Sequence, residues 1–356
     1  MLLSDFDYDL PENLIAQTPI EPRDHSRILK LDSKKKEIIE DKFYSILDEL
    51  SENDVLVINK TRVINARLHW NNESGRMVEI FLHKQISEDS WDCLVFPGKK
   101  LKPWRKVKFY YSISPESEKD INEEVILEAI VQETTEAWRI MKFNKSWINF
   151  LKTIEKLGEI PMPPYIKEKL NNNERYQTVW SEVEWSVAAP TASLHFTDEL
   201  LQKIKDKWVK IEKVLLHVWL WTFMAVKTDD VSNHKMHSEY IELEKEVANR
   251  LNKYKSEWKN IIAVWTTSIR VLESFADENW ILSSWNKDTE IFIYPGYKWK
   301  IVDSIITNFH LPKSTLLMLV SSFSWKDFIK KSYKYAVENK FRFFSFGDAM
   351  WIKNKN

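Results

Sequence analysis

Apolar and polar positions follow two different rhythms along the chain. Between about residue 62 and residue 145, short runs rich in Val, Ile, Phe and Tyr are separated by polar turns. These are Met77–His83, Trp91–Phe96, Val107–Tyr111, Val125–Glu133 and Trp138–Phe143. Strands of that length at regular spacing predict a small barrel or sandwich. From about residue 197 the period changes. Thr197 is placed to cap a helix that opens on Asp198 and Glu199 and carries Leu200, Leu201 and Ile204 on one face. A strand at Ile211–Val218 and an amphipathic helix marked by Leu243, Val247, Leu251 and Tyr254 follow. Further on the pattern predicts strand Ile261–Val264, helix Thr267–Ala276, strands Glu290–Tyr294 and Ile301–Thr307, helices Ser314–Ser322 and Lys326–Asn339, and strand Phe341–Phe346. Alternating helix and strand predicts an α/β fold. The expected architecture is a larger α/β domain of residues 1–61 and 150–356 with an inserted small β-barrel domain of residues 62–149. The polar stretch Lys167–Glu174 reads as an exposed loop.

Composition changes this picture at one point. The chain holds 17 Trp and only 5 Gly in 356 residues, where ordinary usage of about 7% would give roughly 25 Gly. The Trp residues also sit where glycines belong. Trp208 and Trp258 each stand between a helix and the next strand, at the position where a left-handed residue, usually Gly, closes a helix. Pro103-Trp104 occupies a turn suited to Pro-Gly, and Trp265 ends a strand just before Thr266-Thr267. Read literally, Trp219 and Trp221 are two apart and would form an aromatic stripe on one side of a strand.

The other bulk properties are ordinary. A hydrophobic content of 44% supports a sizeable core, and the net charge of −1 places any RNA contact on a local patch rather than the whole surface. One cysteine, Cys93, excludes an internal disulfide framework and a Cys-based zinc site. The N-terminus lacks the basic-then-apolar pattern of a signal peptide, and the longest apolar run, Val214–Val226, is too short to span a bilayer. The expectation is a soluble cytoplasmic protein.

Candidate chemistry is concentrated in histidine. Five of the eight His lie between positions 195 and 310. They fall in Pro190-Thr191-Ala192-Ser193-Leu194-His195, Leu216-His217-Val218, His234-Lys235-Met236-His237-Ser238-Glu239-Tyr240 and Asn308-Phe309-His310-Leu311-Pro312. Such clusters suggest acid–base work or a metal. No HExxH pattern and no companion Cys are present, so no metal is expected. A basic run from Gly98 to Phe109 carries Lys99, Lys100, Lys102, Arg105, Lys106 and Lys108 without an acid, which suits phosphates.

Taken together, these segments resemble one family, the S-adenosylmethionine:tRNA ribosyltransferase-isomerases of queuosine biosynthesis, over nearly the whole chain. The resemblance begins at Asp5-Phe6-Asp7-Tyr8-Asp9-Leu10-Pro11 and runs through Asn59-Lys60-Thr61-Arg62, Pro97-Gly98-Lys99-Lys100-Leu101-Lys102-Pro103, Ile160-Pro161-Met162-Pro163-Pro164-Tyr165 and Arg175-Tyr176-Gln177-Thr178. It continues in the four His motifs, Thr266-Thr267-Ser268-Ile269-Arg270, Tyr294-Pro295-Gly296 and Phe346-Gly347-Asp348-Ala349-Met350. The departures are systematic: the family pattern looks like glycine at Trp70, Trp104, Trp138, Trp185, Trp208, Trp219, Trp221, Trp258, Trp265 and Trp325. Trp91 matches an aromatic position, whereas Trp147, Trp180, Trp280, Trp285, Trp299 and Trp351 are ambiguous. A gene from a lineage that reads UGA as glycine, translated with a table that reads UGA as tryptophan, gives this pattern.

The resemblance implies transfer and isomerisation of the ribosyl moiety of S-adenosylmethionine onto 7-aminomethyl-7-deazaguanine at the tRNA wobble position. Adenine and methionine leave, and epoxyqueuosine forms. It makes S-adenosylmethionine a co-substrate, with tRNA as partner, no metal, and a monomer expected. Such a reaction needs proton acceptors and donors near working pH. His237 with Glu239 are the first candidates, then His195, His217 and His310. For the donor the expectation is Thr266, Thr267 and Arg270 at a strand-to-helix turn, with the glycine loops at Trp219, Trp221 and Trp265. For RNA it is Lys99, Lys100, Lys102, Arg62 and Arg67. Two rival readings remain at this point. A methyltransferase would leave S-adenosylhomocysteine, and a non-catalytic RNA-binding protein would consume no donor.

Overall fold

The computed structural model describes residues 1–71, 77–98, 101–110, 125–134, 138–168, 170, 172–218, 226 and 228–353. The chain forms two compact units. The first comprises Met1–Arg62, Pro163–Val183 and Ala189–Asn356, and the second Val63–Met162 with Glu184–Ala188.

The strands, in chain order, are β1 (Arg27–Asp32), β2 (Glu37–Lys42), β3 (Asp54–Asn59), β4 (Thr61–Val63), β5 (Arg67–Asn71), β6 (Met77–Ser87), β7 (Ser90–Phe96), β8 (Lys106–Phe109), β9 (Leu127–Thr134), β10 (Trp138–Phe143), β11 (Val183–Ser186), β12 (Lys210–Leu216), β13 (Glu239–Leu243), β14 (Asn260–Val264), β15 (Trp285–Thr289), β16 (Ser304–Asn308) and β17 (Ala349–Lys353). The first unit is built on a nine-stranded sheet ordered β15-β13-β12-β3-β14-β16-β17-β1-β2. Its centre, β12-β3-β14-β16, is parallel. There β3 is buried at every position and reads from Val55 to Ile58 as a continuous apolar run, as expected of a strand covered on both faces. One face packs Phe43, Ile46, Phe196, Leu200 and Ile204 over Leu56, Ile262 and Ile306. Helix α5 (Trp265–Phe275), buried over most of its length, also packs on this sheet.

The second unit holds a six-stranded antiparallel sheet ordered β5-β6-β7-β10-β9-β8. Strand burial alternates, as in β8 and β10, where one face meets a core and the other does not. That core contains Trp91, Phe143 and Phe150, with the Trp91 ring centroid 5.6 Å from that of Phe150. The α/β class with a small barrel-like sheet agrees with the sequence reading.

Two strand predictions are corrected. Glu290–Tyr294 is not a strand; the strand is β15, immediately before it. An edge strand bonded on one side with exposed side chains has no apolar pattern, so periodicity selected the aromatic residues next to it. Phe341–Phe346 is a bend, because Phe344 takes φ +70 and breaks the extended run; the strand is β17, just beyond.

The backbone sorts the tryptophans. Among the described residues, ten non-glycine positions have positive φ, and six of them are Trp: 104, 147, 208, 258, 265 and 280. Trp208 and Trp258 follow α3 (Asp198–Asp206) and α4 (Lys245–Ser256), where their N–H groups close the last turn onto Lys205 O and Lys255 O. Their indoles are 71% and 88% exposed, so little packing offsets the left-handed strain. Other indoles are built in. Trp180 donates to Asn59 O (3.1 Å), Trp299 to Ser322 Oγ (3.0 Å) and Trp351 to Ser304 Oγ (2.6 Å). Trp180 and Trp351, buried with their N–H groups satisfied, are ordinary core residues, and Trp299 is half-buried.

Candidate functional site

The parallel strands β12, β3, β14 and β16 all end at one edge of the sheet, so residues far apart in sequence meet there. This edge carries Asn59-Lys60-Thr61, His217, Trp265-Thr266-Thr267 and Phe309-His310. Antiparallel β13 enters at the same edge and brings Glu239, while His217 N donates to Tyr240 O (3.1 Å). Antiparallel β17 brings Asp348, and β1, parallel to β17, brings Ser26. In open α/β sheets the carboxyl edge is where ligands bind.

Asn59 ties the edge together. Its buried amide donates to Leu216 O (2.9 Å) and Thr267 Oγ1 (3.2 Å), and its carbonyl accepts from Leu216 N and Thr61 N (both 3.2 Å). One side chain therefore ties the ends of β3 and β12 to the first turn of α5.

Two predicted site residues form a buried ion pair. Arg270 on α5 pairs with Glu239, and both are almost fully buried. Burial pushes the Arg270 guanidinium down to about 10, which still leaves it charged near neutrality. Its Nε and Nη2 have no hydrogen-bond partner among the described residues. A buried cation with spare donors is suited to a second anion.

The histidines separate into two groups. His195 is buried, with Asn308 Nδ2 donating to its Nε2 (3.1 Å). That leaves Nδ1 to carry the proton and donate to Ser26 Oγ (2.7 Å). Asn308 Oδ1 in turn accepts from Thr191 (2.9 Å), and the ring stacks on Phe43. His310 is buried beside Thr307 (3.1 Å), with its carbonyl accepting from Tyr8 Oη (2.6 Å). His217 is buried against Thr61 (3.3 Å) and stacks on Tyr240. Burial pushes His195 and His310 down to about 3 and His217 down to about 4, so all three are neutral at working pH. His237 is exposed and only lowered, by partial desolvation. It is the candidate best placed to exchange protons with a ligand.

These shifts carry a prediction with a definite sign. The unfolded chain, with His near 6.5, binds more protons than the folded chain between about pH 4 and 6.5. Stability supplied by the neutral rings is therefore present above pH 6.5 and is lost as pH falls toward 3–4. Between pH 6.5 and 5, unfolding should take up two to three protons, a slope of roughly 3–4 kcal/mol per pH unit. Urea melts across that range check it, and His195→Gln should remove about one proton from the slope. A flat profile would contradict the burial of the three rings.

The remaining predicted residues are placed as follows. Thr266 and Thr267 are buried in the first turn of α5. Trp219 and Trp221 lie outside the described residues, as do Lys99 and Lys100. Lys102 is exposed. Arg62 pairs with Glu174 (2.6 Å) and donates to Ser181 (3.1 Å), and the Arg67 guanidinium lies over the Phe81 ring at 4.9 Å. Sequence reading assigned no role to Asn59, Asn308 or Ser26. For the two Asn the available signal was an amide ending an apolar strand.

A larger cavity of about 510 Å³ lies elsewhere in the first unit, lined in part by Lys255, Trp258, Lys259, Trp280 and Lys300. No predicted site residue lines it, and Trp258 and Trp280 are left-handed, largely exposed indoles. Two of its wall residues, Trp258 and Trp280, are thus at odds with their own backbone. The predicted site residues gather at the carboxyl edge instead.

Comparison with known proteins gives the family. Residues 3–352 match the family model described as queuosine biosynthesis protein. The chain is 49% identical to the S-adenosylmethionine:tRNA ribosyltransferase-isomerase of Finegoldia magna, covering 99% of this chain and 98% of that one. It is 48% identical to the protein of the same name from Fusobacterium nucleatum, with 98% and 96% covered. Among solved structures it resembles the S-adenosylmethionine tRNA ribosyltransferase of Thermotoga maritima, with a TM-score of 0.55, 35% identity, and 98% and 100% of the two chains covered.

Proposed function

The chain belongs to the queuosine biosynthesis family as an S-adenosylmethionine:tRNA ribosyltransferase-isomerase, and from that premise we propose how its residues share the reaction. The enzyme transfers and isomerises the ribosyl moiety of S-adenosylmethionine onto the 7-aminomethyl-7-deazaguanine of tRNA, giving epoxyqueuosine, adenine and methionine.

His237 takes up the proton that the substrates release. Glu239, held by Arg270, sets the electrostatics beside it. Arg270 uses its two spare donors on the carboxylate of the donor's methionyl group. Thr266 and Thr267 open α5 at the donor's ribose. His195, His217 and His310 keep the loops in register through their ring hydrogen bonds and act as neutral donors or acceptors rather than bases. On the RNA side, Lys99, Lys100, Lys102, Arg62 and Arg67 hold phosphates, which makes binding salt-sensitive. The protein works as a monomer in the cytoplasm and needs no metal. Among the described residues no helix is long and apolar enough to cross a membrane.

The observation that supports this division most directly is the meeting of four His motifs, Arg270 and Glu239 at one sheet edge. The test uses S-adenosylmethionine labelled separately in adenine, ribose and methyl. Free adenine and methionine, with ribose label in tRNA, are expected. Accumulation of S-adenosylhomocysteine would instead make the protein a methyltransferase.

A further inference from the structure

Trp265 is the first residue of α5, directly after β14, and it takes φ +71. Left-handed backbone costs a residue with a side chain roughly 1–2 kcal/mol, and such outliers at a strand-to-helix turn point to a functional constraint. Unlike Trp208 and Trp258, Trp265 is only 3% exposed. Its indole lines a cavity of about 40 Å³ together with Tyr165, Thr191, Asn308, His310 and Phe344. The lining combines aromatic rings, Tyr165 and Phe344 at 4.8 Å between centroids, with the mutually bonded hydroxyl of Thr191 and amide of Asn308, the latter also bonded to His195. Flat aromatic walls with a few fixed polar groups are what a small heteroaromatic ligand needs. The space that remains is too small, since ligand pockets are typically about 300 Å³ or more.

An indole is itself a flat bicyclic ring, close to a purine in size. The backbone at 265 asks for a residue without a side chain, and the space beside it holds a bicycle. We infer that position 265 is a glycine position in the working enzyme and that the Trp265 indole occupies the seat of the donor's adenine ring, at the cavity lined also by Tyr165, Phe344, Thr191 and Asn308. This rests on the reading above that S-adenosylmethionine is the ribosyl donor. It adds where the purine sits, which leaves Arg270 for the opposite, methionyl end.

Calorimetric titration of adenine and of S-adenosylmethionine into the unmodified chain, Trp265→Gly and Trp265→Ala tests it. Trp265→Gly should bind both about tenfold tighter or more, and Trp265→Ala should gain part of that, since it opens the space but keeps a Cβ at positive φ. If folded Trp265→Gly gains no affinity for either ligand, the seat is elsewhere. If circular dichroism shows it unfolded, the indole is a core residue and the inference is likewise overturned. Label tracing keeps this distinct from the overall reaction. Adenine release without a gain in binding refutes the seat and leaves the donor assignment standing. A gain in binding without ribosyl transfer supports the seat and refutes the transfer.

Discussion

Arg270→Ala loses stability and donor binding together. The guanidinium is buried on α5 against Glu239, and removing it leaves a buried carboxylate without its cation. Breaking a buried pair by deleting one partner costs about 3–5 kcal/mol, a large part of the roughly 5–15 kcal/mol that holds a domain folded. Equilibrium urea unfolding reads that loss directly. Donor binding falls for a second reason, because the guanidinium nitrogens Nε and Nη2, without a partner among the described residues, are the proposed hold on the methionyl carboxylate. Affinity for free methionine should drop about 100-fold, the value of a lost charge-assisted pair of hydrogen bonds. Arg270→Lys separates the two effects. It keeps the charge, and with it part of the stability, but presents a point charge rather than a planar fork. Lysine that restored methionine affinity in full would refute a bidentate contact. Alanine without a stability change would refute the buried pair.

Glycine at the ten tryptophan positions named from the family pattern turns an inactive polypeptide into a working one. Four of the ten, Trp104, Trp208, Trp258 and Trp265, have positive φ. At roughly 1–2 kcal/mol each, these four cost about 4–8 kcal/mol, comparable with the whole stability of a domain. Trp147 and Trp280, ambiguous from sequence, join them by the same backbone criterion. Trp70 and Trp138 stand in strands without left-handed strain, and Trp325 has φ −80, so for these three the backbone gives no reason to require glycine. The measurement compares soluble yield and adenine release for the two polypeptides. Full activity from the tryptophan form would refute the prediction. Coding triplets of UGG at 208, 258 and 265 would refute its genetic explanation.

The α/β class, the separate barrel-like sheet and most helices were readable because their buried faces repeat at 3.6 or 2 residues. Thr197 does cap α3, accepting from Leu200 N at 3.1 Å. What periodicity misses is structure whose residues face water or bend away from a regular path. Edge strand β15 is polar because it is exposed, and the Phe341–Phe346 run is apolar because it is buried without being extended. For the site, motif density located His195, His217, His237 and His310, but not what each ring does. That depended on partners distant in sequence: Ser26 for His195, Thr61 for His217, and Tyr8 for the loop of His310. Arg270 and Glu239 were each named from sequence. Their pairing, and thus the charge at the edge, came from β13 running antiparallel beside β12.

The place of β17 has a consequence for biosynthesis. It is made after all the other strands, yet it fills the slot between β16 and β1, pairing Ile305 with Ile352 on one side and Leu29 with Met350 on the other. Until residues 349–353 leave the ribosome, the β1–β2 hairpin has no neighbour on its inner side and β16 presents an open apolar edge. Contacts of such long sequence separation close slowly, and open edges of this kind aggregate. This sheet closes only after the last of the strands named here has been made, so the nascent chain depends on shielding of β16 more than a protein assembled in chain order does.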